Sequence, residues 1–284
     1  MGQRSILDST KEGFTHELVE INPKEIKVNQ IDVGTLQFYQ KNYSKAIWNP
    51  NAGRQLGFTV THYERIIGIM FLGSDVLTIK PRDDFLGLSK DKWIRGQELK
   101  DYFNLGVCVG VQPLAWYWNI GKLLALLSCT LGDFIVKRYP ECDFKGIVTT
   151  SLWGKSVQYD RVFRLIGYTQ GFGTEHIPER KYQEMLRWLR ENNIEKPKWR
   201  TSIKMATIQQ YITLSGEDLS IKHGHVRGIY FHAPIPPEDR QKVIDSWYLR
   251  WGLPRYKRLK DVSPPYEDGK GGLMKATQDI EVIK

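Results

Sequence analysis

"GVCVGVQPLAWYWNIGKLLALL", residues 106–127, begins as a strand and ends as a helix, with a Gln, a Pro, two Trp and a Gly in the turn between. In the strand half, Leu105, Val107, Val109 and Val111 alternate with Gly106, Cys108, Gly110 and Gln112. Side chains alternate across a strand, so one face is bulky and the other nearly bare. A bare face on a buried strand admits a close approach, by a packed helix or by a ligand. Past the turn, Leu123, Leu124, Leu127, Leu131, Phe134 and Ile135 keep helical spacing as far as Tyr139-Pro140, where proline forbids continuation.

The neighbouring segments extend this strand-turn-helix into a sheet. "EIKVNQID" alternates like a strand, and "VGTLQFYQKNYSKAIW" carries apolar residues near helical spacing. "RQLGFTVTHYE" and "RIIGIMFLG" are β-rich and abut at Glu64-Arg65, as the arms of a hairpin do. The second is apolar on both faces, the mark of a central strand. "KPRDDFLGLSKDKWIRGQELKD" reads as a loop or short helical insertion, "GIVTTSL" as a strand, "SVQYDRVFRLIG" as a helix capped by Gly167, and "YTQGFG" as a closing strand. Residues 25–173 therefore predict an α/β core, a mixed sheet with helices on both faces. Residues 1–24 read as an irregular leader. Residues 174–260 predict an α+β extension: a helix "KYQEMLRWLREN", a linker "NIEKPKWRTS", a strand "VRGIYFH" and a helix opened by Pro236-Pro237. The tail 261–284, rich in Gly, Pro and charge, predicts a flexible strap.

The chain has 284 residues, 41% of them hydrophobic, enough to bury a full core. The polar N-terminus lacks the basic-then-apolar design of a signal peptide, and no long uncharged apolar run appears, so the expectation is a cytoplasmic protein with no membrane contact. Three cysteines without CxxC spacing argue against a disulfide framework or a zinc ribbon. Charge is uneven: residues 181–260 hold 16 Lys and Arg against 8 Asp and Glu, while residues 1–180 hold 22 against 19. Such a block suits a polyanion or keeps a surface solvated. Trp188, Trp199, Trp247, Tyr248, Trp251 and Tyr256, interleaved with the basic residues, favour nucleic acid, because flat rings stack on unpaired bases. Trp247, Arg250, Trp251, Arg255, Lys257 and Arg258 are the expected contacts, with cations capping a helix C-terminus as the structural alternative.

The element order, with a strand ending in a Gln-containing turn that opens a helix, resembles the GNAT acyltransferase fold, whose sheet splays at its centre. In that family the turn runs Q/R-x-x-G-x-G/A, and its amides and helix N-terminus hold the pyrophosphate of acetyl-CoA. Gln112, Trp116, Trp118, Asn119, Gly121 and Lys122 occupy that place, in a longer, more aromatic turn that departs from a coenzyme A holder. Residues 53–173, with "KPRDDFLGLS" and "YDRVFRLIGYTQGFG" the most specific pieces, resemble both the Mom-type phage DNA-modification proteins and the related domain of Druantia anti-phage systems. The Mom resemblance implies transfer of a carbamoylmethyl-type group to adenine N6 in duplex DNA, protecting phage DNA from restriction. It also matches His62-Tyr63 and Tyr159-Asp160 to residues that do proton transfer or bind a metal.

For each residue a bland role stands beside the chemical one. The rings at 116–118 grip a base or plug the core; His62 is catalytic or a satisfied hydrogen-bonder; Arg82 touches DNA or forms a structural pair with Asp83. His223, His225 and His232 have no Cys or carboxylate to complete a ligand set, so no metal site is assigned. The reading expected first is a transferase acting on DNA bases, its donor and any metal ion unspecified, with double-stranded DNA as partner and a homodimer left open. The second is a DNA-binding subunit of an anti-phage or mobile-element system that has lost chemistry, and the third an acetyl-CoA-dependent N-acetyltransferase.

Overall fold

The computed structural model describes residues 20–44, 48, 53–151, 155–169, 179–195, 203–217 and 226–263. The hairpin expected at Glu64-Arg65 is present: β2 (Gln55–His62) and β3 (Arg65–Gly73) pair antiparallel around a two-residue turn in which Tyr63 takes a positive φ of 52°. β1 (Ile26–Ile31) adds to β2, and β4 (Tyr102–Gly110) to β3, both antiparallel. Between β4 and β5 (Gly146–Thr150) the chain makes a helical crossover, and the two strands are accordingly parallel. β7 (Gly228–His232) lies between β5 and β6 (Arg164–Tyr168), giving a seven-stranded mixed sheet in the order β1-β2-β3-β4-β5-β7-β6.

Helices cover both faces, as expected. On one, α1 (Val33–Tyr43), its N-terminus capped by the Asp32 carboxylate accepting from Thr35 N, packs Leu36 and Tyr39 against Ile69, Phe71 and Val107. The insertion between β3 and β4 holds α2 (Lys80–Leu86) and α3 (Lys92–Glu98). The other face carries the short α4 (Leu114–Trp118), then α5 (Ile120–Ser128) and α6 (Gly132–Arg138). The predicted helix ending at Tyr139 thus stops where read but is broken midway. Ser128 and Thr130 turn their hydroxyls back onto the Ala125 and Leu127 carbonyls, 2.7 and 2.8 Å, and end the first half.

Two further differences matter for the site. Strand alternation puts Leu105 with Val107, but β4 bulges at Gly106: Phe71 pairs with Val107 and Leu72 with Leu105. Leu105 therefore joins the core under α5 while Val107 and Val111 join the core under α1, on opposite faces. The predicted helix "SVQYDRVFRLIG" is instead a run of turns, 157–162, followed by β6. Arg161, at φ 65°, has a left-handed backbone that no right-handed helix continues through. The stretch 170–173 of the expected closing strand lies outside the described residues, as do 1–19 of the leader and 264–284 of the tail.

The expected extension is only partly separate. α7 (Glu179–Glu191) and α8 (Ile203–Ser215), the latter missed by the sequence reading, share a small core of Met185, Ile208 and Tyr211. Yet β7 sits inside the main sheet, and Ile244 and Trp247 of α9 (Arg240–Trp247) and Tyr256 of α10 (Leu253–Leu259) are buried in the main core. A π-helical turn, Tyr248–Gly252, joins α9 to α10, with Leu253 N donating to Tyr248 O. No helix among the described residues is long and apolar enough to cross a membrane.

Candidate functional site

β4 and β5 pair only from Tyr102 to Asn104, opposite Gly146 to Val148, and then part. A strand left without a partner exposes carbonyls that need donors. Thr149 supplies the first, its Oγ1 donating to Leu105 O at 2.9 Å. Gln158 supplies the next: its Nε2 donates to Cys108 O at 3.0 Å and lies 2.7 Å from Cys108 Sγ. The carboxamide also lies against α5, close enough that a Cβ on Gly121 would stand 3.0 Å from Gln158 Cδ. Lys122, buried, donates from Nζ to Val157 O at 2.7 Å and to Asp160 O. Tyr230 Oη accepts from Ser156 N at 2.8 Å. The 156–160 turn is thereby fastened into the divergence from both sides.

Tyr159 hangs from this turn, its ring buried against Tyr230 and Phe163 with centroids 5.4 and 5.7 Å away, and its hydroxyl in the neighbourhood of Thr149 and Cys108. Burial pushes its phenol far above the ordinary range and the Cys108 thiol up to about 12. At neutral pH neither group ionises, so Cys108 offers no thiolate and Tyr159 remains protonated. Burial also lowers the Lys122 ammonium. Asp160 is half-exposed, 3.5 Å from Lys155 Nζ. His62 and Tyr63 do not join this cluster. His62 is buried on β2, two strands away from β4, where its Nε2 accepts from Asn22 N at 3.0 Å, while Tyr63 is exposed at the hairpin tip. Burial lowers the His62 pKa, in keeping with an unprotonated Nε2 that accepts.

The aromatic turn is closed. Trp118 is fully buried and stacked between Tyr256 and Tyr248, centroids 4.3 and 5.8 Å away, so it docks the C-terminal helices instead of gripping a base. Tyr117 is buried with its hydroxyl on Val262 O; Trp116 is half-buried and its carbonyl accepts from Arg255 Nε. The amides of Ala115, Trp116 and Tyr117 are spent on Val111 O, on Gln112 Oε1 and Pro113 O, and on Pro113 O respectively. A turn whose amides are taken internally offers little to the pyrophosphate of coenzyme A. Asn119, in the left-handed region at φ 56°, gives its carbonyl to Trp247 Nε1 at 3.2 Å.

Two expected nucleic-acid contacts are corrected by burial. Trp247 is a core residue. Arg82 is 0% exposed; its guanidinium pairs with Asp75 at 2.6 Å and Asp83 at 2.5 Å and binds the Val76 and Leu77 carbonyls, while Arg95 completes the network at Asp83, 2.9 Å. The structural pairing wins because a buried guanidinium must have its donors satisfied. Arg250, Lys257 and Arg258 are exposed on the π turn and α10, and Trp251 is half-buried between the Arg250 guanidinium and Lys122 Nζ, at 4.7 and 5.8 Å. His223 and His225 lie outside the described residues, His232 packs its ring on Phe163, and no group of three His, Cys, Asp or Glu among the described residues is placed to hold a metal.

Gln158, Thr149, Cys108 and Tyr230 were not singled out by sequence. The nearly bare face of β4 was the signal for Gln158, since only a small-residue face lets a side chain reach the backbone.

The fold and these surfaces define a mixed α/β protein whose single sheet is completed by its own C-terminal strand, with a filled central cleft and a basic outer helix. The chain belongs to the family described as Druantia protein DruA, whose model matches residues 20–241, the whole sheet and the filled cleft but not Arg250, Lys257 or Arg258. Druantia is an anti-phage defence system. The chain is similar to the Druantia protein DruA of Escherichia coli (strain UMEA 4076-1), 27% identical over 209 residues, 63% of this chain and 50% of that relative. It thus spans about half the length of that relative.

Proposed function

We propose that this chain is a DNA-binding component of a Druantia-type anti-phage system, built on a GNAT-like sheet whose ligand cleft is filled by its own side chains. The strand order, with β4 and β5 parallel and parting after Asn104, supports the scaffold. The observation that carries the reading is Gln158. Its carboxamide satisfies the Cys108 carbonyl that the divergence frees and packs on Gly121, so the place a ligand would enter is occupied from within. What remains on the surface is charge. Arg250, Lys257 and Arg258 each neutralise a phosphate in this reading, with Trp251 backing Arg250.

The test is fluorescence anisotropy of a labelled duplex across a salt series. Wild type binds with a steep salt dependence, and the triple substitution Arg250→Ala, Lys257→Ala, Arg258→Ala lowers the slope of log K against log salt by about 2 to 3, at roughly 0.9 per lost phosphate contact. An unchanged slope sinks the assignment of this surface.

A second reading, a base-modifying transferase acting on adenine, draws support from the Tyr159 hydroxyl beside Thr149 and Cys108. It requires Gln158 to leave the cleft. Under the filled-cleft reading, nucleosides from plasmid co-expressed with the protein and its system partners are all canonical by mass spectrometry. A modified adenosine that disappears in Tyr159→Phe establishes the transferase instead.

A further inference from the structure

Arg161 takes a left-handed backbone, φ 65°, in the run of turns that leads into β6. That conformation favours glycine; Asn119 and Asn193 reach it with short polar side chains suited to it, whereas an arginine gains nothing from it. The surrounding backbone imposes it. Asp160 N donates to Ser156 O and Phe163 N to Tyr159 O, both at 2.9 Å, and Lys122 Nζ holds the Asp160 carbonyl that precedes Arg161. The Arg161 side chain takes no part in this: it is exposed and, among the described residues, has no hydrogen-bond or ion-pair partner. A strained backbone kept where glycine would relieve it points to a task for the side chain.

The neighbours of Arg161 define that task. Lys122 Nζ, bonded to the carbonyl beside Arg161, lies 5.8 Å from the Trp251 ring centroid, and the Arg250 guanidinium lies 4.7 Å from the same ring. Burial lowers the Lys122 pKa most; the Asp160 carboxylate raises it and Arg161 lowers it, so these charges lie within reach of one another. The carboxylate does not cancel the cations. Asp160 stands 3.5 Å from Lys155 Nζ, and residues 151–164 hold Lys155, Arg161 and Arg164 against that single acid. Residues 246–260 hold Arg250, Arg255, Lys257, Arg258 and Lys260 and no acid, and the carboxylates felt on α10, Glu20 and Asp261, act at Tyr256. Cations gathered about one ring repel one another until an anion joins them. We infer that Arg161 contacts a phosphate of the same duplex that Arg250, Lys257 and Arg258 hold, so that bound DNA runs from α10 across the turn that fills the cleft. The inference rests on the nucleic-acid reading above and extends that surface from the C-terminal helices to the turn before β6.

Anisotropy of a labelled duplex across a salt series, on the full chain and paired with urea unfolding, tests it. Arg161→Gly is expected to weaken duplex binding and to lower the slope of log K against log salt by about 0.9, the share of one phosphate contact. Its unfolding midpoint holds or rises, because glycine relieves the backbone. Arg161→Asn, whose side chain also tolerates this conformation, repeats both results, and Arg161→Lys, which keeps the charge, keeps the slope. An unchanged slope in Arg161→Gly and Arg161→Asn, with the Arg250, Lys257 and Arg258 triple substitution still lowering it, overturns the inference alone. Midpoints that fall in both variants make Arg161 a structural residue and overturn it too, as does a slope lost in Arg161→Lys with its charge intact. Wild type that does not bind the duplex, or a triple variant whose slope is also unchanged, removes the basic-surface reading together with the inference.

Discussion

His62 shows how burial decides between chemistry and architecture at a single residue. Its Nε2 accepts the Asn22 amide, which only the neutral ring does, and burial holds its pKa below the ordinary value of about 6.5. Below that pH the unfolded chain takes up a proton that the native chain refuses, so the unfolded state binds more protons and stability falls as pH falls. The loss begins as pH drops through about 6.5 and levels off below the depressed native value. Urea unfolding at about pH 7.5 and about pH 5.5 measures it. His62→Gln, whose amide oxygen also accepts, is expected to remove that part of the pH dependence while keeping the fold. A wild-type midpoint that rises on acidification contradicts this account. Residue types were legible in the sequence as sources of chemistry, but their solvent exposure was not. Trp118, Trp247 and Lys122 carry the groups a ligand site uses, and all three are buried in contacts with distant elements, 35 residues away for Lys122 with Val157 and 128 for Trp247 with Asn119, whereas Arg82 is buried by partners within seven residues of it.

At the scale of elements, the filled cleft makes a testable pair of Gly121 and Gln158. A Cβ at 121 meets Gln158 Cδ at 3.0 Å and Cγ at 3.1 Å, so Gly121→Ala pushes the carboxamide back by a few tenths of an ångström and strains its bond to the Cys108 carbonyl. Overpacking of this kind costs about 1–3 kcal/mol. With Gln158→Ala already made, the obstruction is gone, and the same Gly121→Ala gains the helix preference of Ala over Gly, about 1 kcal/mol. Denaturant unfolding of the four proteins in the cycle is expected to show that reversal of sign; additive effects mean that Gln158 does not sit on Gly121. The hairpin, the β4-to-helix turn, α7 and β7 were legible because each is a local pattern of period or turn chemistry. The 156–168 stretch was not, because Val157, Val162, Phe163 and Ile166 fall at helical spacing by coincidence, while Arg161 has a left-handed backbone and the sheet claims Arg164–Tyr168. The Gly106 bulge was hidden for a related reason. Alternation is read within one strand, and the extra residue is visible only in the pairing with Phe71 and Leu72.

For the whole molecule, the question is whether the basic C-terminal part is an appendage, as its composition suggested, or part of the body. β7 supplies the hydrogen-bonded link between β5 and β6, and β6 pairs with no other strand in the sheet order. Trp247 and Tyr256 join the same core as Phe58, Met70 and Leu124, and Trp118 is covered from both sides by Tyr248 and Tyr256. A chain ended at residue 217 therefore loses the partner of two strands and exposes Trp118 and the face of α5. Full burial of one large apolar side chain contributes about 1.5–3 kcal/mol, and several are uncovered at once, against a total stability of about 5–15 kcal/mol for a typical domain. The truncated chain is expected to lack a cooperative urea transition and to be cut rapidly by protease within residues 102–168, whereas the full chain unfolds its sheet and C-terminal helices in one step. A truncated chain that melts cooperatively would make the C-terminal part a separable module. Because the π turn bearing Arg250 and the helix α10 bearing Lys257 and Arg258 are anchored through Trp118 to the turn that follows β4, the position of the basic surface is fixed relative to Gln158.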